Sequence, residues 1–347
     1  MSVRWRMRQI KKRCPTLRDR RFVPCTWLHP EHPPKEADAM RILNIGSLNI
    51  DKTYEVDHFV QPGETLMASS MAVCCGGKGL NQSIAAARAG AQLWHAGLVG
   101  NDGQALVDAL VAAGVHTELL RRIDGQSGHA IIEVDPSGQN RILLFGGANR
   151  MLNEKTIDGI LDAFGEGMVL LQNEVNLLAY IVDAAYHRGL PVALNAAPMN
   201  DDVLGCELSH LGWLIINEIE GRQVAQCERD EDIFPTLSRR YPSLKVLLTL
   251  GERGAVVLAN GTSYTVGSCH VAVRDTTAAG DTFIGYFLRG IDLGWELGDC
   301  LRFATGASAI SVTREGASTS IPSFDEVKRF VSSHNDELAV EIQGFRA

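Results

Sequence analysis

Short apolar runs alternate with helical patterns along most of the chain, and this alternation limits its fold more than any other feature. The runs predicted as strands are 42–45, 93–97, 168–171, 191–194, 213–216, 246–249 and 255–258. The helical patterns lie at 79–89, 104–113, 177–187 and 280–293. Strands that are separated by helices are joined by crossover connections, so repeated units of this kind build a mostly parallel sheet that helices cover on both faces. The sequence therefore predicts an α/β fold.

Two segments break this rhythm. Residues 51–73 and 127–145 alternate between apolar and polar side chains without an intervening helix, and the second contains a turn at 136–138. This pattern is typical of antiparallel hairpin strands. We expect a small β-sheet that projects from the main core, where it could act as a lid.

The first 39 residues differ in composition from the rest of the chain. Residues 1–39 hold ten Lys or Arg against four acidic residues and contain five prolines, whereas the chain as a whole has a net charge of −8. The body from residue 40 onward therefore carries −14 and would repel the phosphates of nucleic acid. A transit peptide, a nucleic-acid arm and a disordered upstream segment are the interpretations of residues 1–39. We predict a disordered basic extension and assign it no function.

The cysteines and the apolar runs bear on the compartment. The eight cysteines include no Cys-x-x-Cys pair and have no histidine cluster at metal-ligand spacing. No apolar run approaches the roughly 18 residues of a membrane-spanning helix. We expect reduced thiols and a cytoplasmic protein.

The segment DTTAAGDTF at 275–283 precedes an apolar helical pattern. The small residues Ala278, Ala279 and Gly280 allow a tight turn at the helix start, where unpaired N–H groups and the helix dipole attract anionic oxygens. Asp281 would lie in the first turn. An acidic residue also stabilises a first helical turn by itself, so this segment alone leaves both interpretations open.

The segment GGKGLNQ at 76–82 is a second glycine-rich turn before a helix. It is not a phosphate-binding P-loop, because Ala72 stands where that motif needs glycine and Gly79 stands where it needs serine or threonine. Packing against a strand explains the alanines that follow, but it does not explain Lys78 and Asn81. Both side chains are candidates for contacts with a polar ligand.

The segment GSLNID ends the first predicted strand with two polar side chains, Asn49 and Asp51. Alternation along an extended chain directs both to one side, and together they offer the donors and acceptors that sugar hydroxyls need. Turn formation would explain the pair equally well.

Taken in this order, the three segments resemble the ribokinase-like carbohydrate kinases of the pfkB family, and within that family they are most similar to the ribokinases. Further matching segments are PGET at 62–65, LLQNE at 170–174, LNAAP at 194–198, NEIE at 217–220, TLGERG at 249–254 and VTREGASTSIP at 312–322. The resemblance implies a three-layer α/β sandwich at 40–347, with a mostly parallel central sheet and a projecting β-sheet lid from 51–73 and 127–145. It also implies transfer of the γ-phosphate of ATP to a primary hydroxyl of a small sugar, D-ribose in the first place, with ATP, Mg²⁺ and K⁺ as cofactors.

The resemblance also assigns roles to individual residues. Catalysis would depend on Asp281 as the general base, with the backbone N–H groups of Ala278, Ala279, Gly280 and Asp281 as the anion hole. The residues implied to bind the sugar are Asn49, Asp51, Gly77, Lys78, Asn81 and Glu174. Those implied on the nucleotide side are Asn217, Glu220, Thr249, Gly251, Gly254 and Thr305, with Glu220 holding Mg²⁺ through water. Those implied to enclose K⁺ are Asp275, Thr277, Ser311, Arg314, Gly316 and Ser320.

The resemblance further implies a homodimer formed through the lid, whose predicted strands carry Ile131, Ile132, Val134, Ile142 and Leu144. Other substrates stay open: deoxyribose, fructose, a modified ketose or a nucleoside. A sugar sensor without catalysis is a further alternative, although such a protein would not need a base aimed at a phosphate. A nicotinamide-dependent enzyme is disfavoured, because no G-x-G-x-x-G follows the first strand.

Overall fold

The computed structural model of the chain describes Arg21–Phe22 and residues 40–345. Most of the predicted disordered extension, residues 1–39, lies outside the described residues. Arg21–Phe22 is the exception, since it forms a two-residue strand that pairs with Glu341 and Ile342 at the edge of the main sheet.

A sheet of eleven strands runs through the described part of the chain. Its strands are β1 (Arg21–Phe22), β2 (Ile42–Ile45), β5 (Leu93–Val99), β6 (Leu120–Arg122), β9 (Met168–Gln172), β10 (Val192–Asn195), β11 (Trp213–Asn217), β12 (Lys245–Thr249), β13 (Ala255–Ala259), β14 (Thr262–Val266) and β15 (Val340–Gly344). Their order is β1-β15-β14-β13-β12-β11-β10-β9-β2-β5-β6. The pairs from β12 to β6 are parallel and those from β12 to β1 are antiparallel. The mostly parallel sheet is confirmed.

Helices cover this sheet on both faces. They are α1 (Lys78–Arg88), α2 (Gln104–Ala112), α3 (Glu154–Phe164), α4 (Leu178–His187), α5 (Asp201–Leu204), α6 (Glu218–Ala225), α7 (Ile233–Arg240), α8 (Ala279–Asp292), α9 (Leu297–Ser311) and α10 (Phe324–Ser333). Successive residues of β2 enter different cores, because Ile42 packs with α1, α2, α8, α9 and α10, whereas Leu43 packs with α3 to α7. The three-layer sandwich follows from this alternation.

A second, four-stranded sheet forms the lid. Its strands are β3 (Asn49–Glu55), β4 (Ser70–Gly76), β7 (Gly128–Val134) and β8 (Asn140–Phe145), in the order β4-β3-β7-β8. The pairs β3–β4 and β7–β8 are antiparallel, as predicted, and a parallel pairing of β3 with β7 joins them. Every residue of β8 is exposed, so this sheet projects from the core. No helix in the described residues is long and apolar enough to cross a membrane.

Candidate active site

Asp281 lies in the first turn of α8, where the helix begins beside an open cleft. The residue before the helix, Ala278, has a left-handed φ of 58°, and no side chain caps the helix start. Such a conformation is strained for alanine and is typical of functional sites. A Cβ added at Gly280 would find no atom within 4 Å. The helix N-terminus is therefore open to an anionic ligand, as the sequence predicts.

The carboxylate of Asp281 is held by two neighbouring amides at the start of α1. Asn81 donates from Nδ2 to Oδ2 of Asp281 at 3.1 Å, and Gln82 donates from Nε2 to Oδ1 at 2.9 Å. Asp281 is only 8% exposed. The segments 76–82 and 275–283, which are some 200 residues apart in sequence, thus meet at one carboxylate.

Lys78 joins the carboxylates of this site. Its backbone N–H donates to Oε2 of Glu174 at 3.1 Å, and the hydroxyl of Ser47 bonds to the same oxygen. Burial lowers the pKa of Lys78, but Asp281, Glu174 and Glu220 outweigh it and raise the pKa above its usual value. The ammonium group therefore stays charged between the predicted sugar side and the predicted phosphate side.

Asp51 lies on the lid strand β3 and faces Glu174. Burial, and then the charge of Glu174, raise the pKa of Asp51 from 3.8 to about 6. A Cβ at Gly76, on the neighbouring strand, would lie 1.8 Å from Oδ2 of Asp51. Only glycine at 76 leaves room for this carboxylate.

Asn49 is oriented by Asn149, a residue that the sequence analysis missed. Asn149 donates from Nδ2 to Oδ1 of Asn49 at 2.8 Å, and it also bonds the backbone N–H and carbonyl of Leu48 at 3.0 and 3.1 Å. It is 3% exposed and belongs to the short 3-10 helix Gly147–Arg150. Asn149 orients Asn49 through a hydrogen bond between their side chains, and the pattern of apolar residues cannot reveal such a contact.

A cleft of about 530 Å³ lies beside the start of α8. Its walls are formed by Gly251, Glu252, Gly254, Ser268, Cys269, His270, Val271, Val273, Thr276, Ala279, Phe283, Thr305, Ser308, Ala309 and Val312. The predicted nucleotide residues Gly251, Gly254 and Thr305 are among them, and Oγ1 of Thr305 is buried without a hydrogen-bond partner in the described structure. The predicted residue Thr249 is not among them, and its hydroxyl donates to the carbonyl of Ile216 at 3.4 Å. The loop 268–273 and Phe283 were not predicted.

Asn217 and Glu220 form a capping box at the start of α6. Oδ1 of Asn217 accepts from the N–H of Glu220, and Oε2 of Glu220 accepts from the N–H of Asn217, both at 2.9 Å. Burial raises the pKa of Glu220, against the lowering effects of Asn217 and Lys78. The capping box uses Oε2 of Glu220 and leaves Oε1 free of it. Oε1 therefore fits the water-mediated Mg²⁺ role that the resemblance implies.

The residues predicted to enclose K⁺ lie on two loops that are joined at Asp275. Oδ1 of Asp275 accepts from the N–H and the hydroxyl of Thr277 at 2.8 and 2.6 Å, and Oδ2 accepts from the N–H of Gly316 at 2.8 Å. Burial raises the pKa of Asp275, but these hydrogen bonds outweigh it and lower the pKa. The Arg314 guanidinium bonds to Glu326 at 2.6 Å, so this residue could contribute only its main-chain oxygen.

The hydroxyl of Ser311 donates to the carbonyl of Ser308 at 2.9 Å within α9, and that of Ser320 donates to the carbonyl of Ala317 at 2.7 Å in the loop that follows. Both hydroxyls donate in these bonds and keep oxygen lone pairs, so side-chain and main-chain oxygens are available to a cation here. Such hard oxygen ligands fit an alkali metal ion better than a transition metal.

Comparison with known proteins identifies the family and the fold. Residues 40–323 match the family described as pfkB family carbohydrate kinase. The chain is 34% identical over 298 residues to the ribokinase of Haemophilus influenzae, covering 83% of this chain and 97% of that protein. The crystal structure of the Cryptococcus neoformans ribokinase in complex with ADP shares 32% identity, with a TM-score of 0.73 and coverage of 84% and 99%. The structure of the Arabidopsis thaliana ribokinase complexed with ribose and ATP shares 28% identity, with a TM-score of 0.75 and coverage of 84% and 99%.

Proposed function

The chain belongs to the pfkB family of carbohydrate kinases, and we propose from this that it transfers the γ-phosphate of ATP to the primary hydroxyl of D-ribose to form ribose 5-phosphate. One observation carries the proposal. Asp281 lies at the open N-terminus of α8, next to the cleft, and is joined through Asn81 and Lys78 to the predicted sugar side.

The chain's own residues supply positioning, charge and a base. Asp281 takes the proton of the sugar hydroxyl as that oxygen attacks the γ-phosphate. The N–H groups at the start of α8 stabilise the negative charge that spreads over the phosphoryl oxygens, and the Lys78 ammonium adds a positive charge nearby. When bound, Mg²⁺ would neutralise charge on the phosphates of ATP, with Glu220 as its water-mediated ligand.

The sugar site is rich in polar side chains. We assign Asn49, Asp51, Gly77, Lys78, Asn81 and Glu174 to it, and Oδ1 of Asn81 is buried without a partner in the described part of the chain. A ligand hydroxyl would satisfy this acceptor. We propose D-ribose as the most favoured substrate because the similar proteins reported above are ribokinases, and one of them was solved in complex with ribose and ATP. Deoxyribose, fructose, a modified ketose or a nucleoside would use the same chemistry.

The decisive variant is Asp281→Asn, which keeps the size of the side chain and removes the base. We expect it to fold and bind sugar but to lose at least about 100-fold in kcat, because a general base contributes roughly 10²–10⁴-fold. ATP consumption should be measured with D-ribose first and then across the other sugars, comparing kcat/KM. Near-normal turnover by the variant would exclude this mechanism, and a preference for another sugar would change the substrate alone.

We further propose that K⁺ occupies the paired loops around Asp275 and Gly316, and that the protein is a homodimer formed through the lid. The Asp275–Gly316 bond supports the first proposal, and the exposed apolar strands of the lid support the second. A reducing compartment such as the cytosol suits the free cysteines of the described residues.

A further inference from the structure

A chain of buried side-chain amides lies behind Asp281 and is not part of the sugar or nucleotide site. Gln82 donates from Nε2 to Oδ1 of Asp281 at 2.9 Å and to Oδ1 of Asn195 at 3.1 Å. Its own Oε1 accepts from Nε2 of Gln172 at 2.7 Å. Gln82 and Gln172 are both 0% exposed. Gln82 therefore contacts Asp281 from the protein side of the carboxylate, where no substrate reaches.

The orientation of the Gln82 amide is determined from both ends. An ionised carboxylate can only accept hydrogen bonds, so the nitrogen of Gln82 must face Asp281. The oxygen of Gln82 faces the amide nitrogen of Gln172 and is satisfied there. A rotated amide would place oxygen against carboxylate and nitrogen against nitrogen, which buried polar groups do not tolerate.

The far end of the chain of amides is uncharged near neutral pH. Gln172 also donates to Oδ1 of Asn44 at 3.1 Å, and Asn44 donates to the hydroxyl of Ser83 at 2.8 Å. That hydroxyl bonds to Nδ1 of His95 at 2.8 Å. Burial lowers the pKa of His95 to about 4, so the imidazole is neutral at pH 7 and does not reverse the direction of the bonds.

The two oxygens of Asp281 are consequently not equivalent. Oδ1 meets the wholly buried Gln82, whereas Oδ2 meets Asn81, a predicted sugar ligand. Oδ1 of Asn81 is itself a buried acceptor with no partner in the described residues, and Nδ2 of the same amide bonds to Oδ2 of Asp281. Lys78 is the charged group that faces Asp281 from α1, and Glu174 and Glu220 face Lys78 in turn.

We propose that Gln82 is a positioning residue that reserves Oδ1 of Asp281 and leaves Oδ2 as the oxygen that takes the proton. The proposal rests on the role of Asp281 as base given above. The terminal torsion of aspartate is broad, so an unheld carboxylate would turn away from the orientation in which one oxygen faces the sugar hydroxyl. A hydrogen bond from the buried side removes that freedom and keeps Oδ2 directed at the sugar hydroxyl.

Two variants of Gln82 test this role. Gln82→Met keeps the shape and removes the donor, and we expect kcat to fall about 10–100-fold with a much smaller change in the KM for D-ribose. Gln82→Glu places a second carboxyl group within hydrogen-bond distance of Asp281. Because two such groups share one proton, we expect the acid limb of its pH–rate profile to move at least about one unit to higher pH.

A matched control separates positioning from stability. Asn153→Ala removes an amide acceptor that caps α3, where Oδ1 accepts from Thr156 at 3.0 Å, and should lower the melting temperature without changing kcat or the pH profile. A folded Gln82→Met with the kcat and pH profile of the native protein would overturn the proposal. If that variant does not fold, an unmoved acid limb in Gln82→Glu overturns it instead. Turnover by Asp281→Asn, measured in parallel, would instead show that the base itself is wrongly assigned.

Discussion

Asp51 combines two requirements that oppose each other. In the proposed sugar site, an ionised carboxylate would accept more and stronger hydrogen bonds from sugar hydroxyls than a protonated one. Burial and the nearby Glu174 nevertheless disfavour the charge and raise the pKa of Asp51 to about 6. Asp51 is therefore half-protonated at a pH of about 6, rather than at the usual 3.8. A hydrogen bond from a substrate hydroxyl would replace part of the hydration that the Asp51 carboxylate loses on burial.

We expect the KM for D-ribose to rise as the pH is lowered from 7 to about 5, because protonation removes an acceptor from Asp51. Asp51→Asn should show a raised KM at pH 7 that changes less over the same interval. Initial rates at saturating ATP would measure both. An unchanged pH dependence in the variant would assign the titration to another group.

A substitution at Gly280 tests whether the N–H groups at the start of α8 form the anion hole. A methyl group at this position meets no protein atom within 4 Å, and Gly280 is exposed next to Ala279, which lines the cleft. Gly280→Ala should therefore fold with its free energy of unfolding unchanged or raised by up to about 1 kcal/mol, since alanine favours a helix. We expect kcat to fall by at least about 10-fold, because the methyl group would displace a phosphate from the N–H groups.

Gly205→Ala is the matched control for that variant. Gly205 also has a helical φ, of −78°, and a Cβ there would meet its nearest atom at 3.4 Å. It lies after α5, away from the cleft, so its kinetics should equal those of the native protein. Native kcat in Gly280→Ala would exclude the start of α8 as the phosphate site.

At the scale of elements, the start of α8 depends on a second loop. The bond from the N–H of Gly316 to Asp275 joins the loop before α8 to the loop after α9. A cation held between these loops would restrict the backbone that ends in Ala278–Asp281. The capping box of α6 works similarly, because the two side chains that order the helix start also face the charged site.

We expect replacement of K⁺ by Na⁺ to lower kcat several-fold, because a smaller ion would fit the paired loops poorly and loosen the anion hole. The assay needs constant ionic strength, with tetramethylammonium chloride as the reference salt. Equal kcat values in all three salts would refute the K⁺ site. A loss with both K⁺ and Na⁺ relative to the reference would refute it as well.

At the scale of the whole molecule, the lid exposes apolar side chains that no other described part of the chain covers. Ile142, Leu143, Leu144 and Phe145 are between 47% and 69% exposed along its edge strand β8. Adjacent exposed apolar residues on an edge strand favour association with another chain. A partner's lid is the occupant that the homodimer proposal requires.

Light scattering at micromolar concentration should therefore give twice the mass of one chain. Leu143→Glu should shift the protein towards the monomer, because it places a charge within the apolar strand. Lys155→Glu, an exposed charge change on α3, serves as the control and should stay dimeric. A monomeric native protein would exclude the lid-to-lid dimer.

Most strands of the fold were predictable because each leaves a local apolar run, but only four of the ten helices in the described residues were predicted. The predicted strands at 42–45 and 255–258 correspond to Ile42–Ile45 and Ala255–Ala259, and the helix at 280–293 corresponds to Ala279–Asp292. The strands β14 and β15, which lie between β13 and the edge strand β1, were missed. Neither follows the βα rhythm, since both pair antiparallel at the end of the sheet.

By itself, the sequence determined the α/β class and the lid hairpins, because apolar periodicity and turns are local properties, whereas the roles of the site residues are predictions from the family resemblance. Only the tertiary structure decided which side chains meet. Gln82, Gln172 and Asn149 act through other polar side chains that are distant in sequence, and such contacts leave no periodic trace. The inequality of the two Asp281 oxygens is of this kind, since it arises where α1 and α8 pack together.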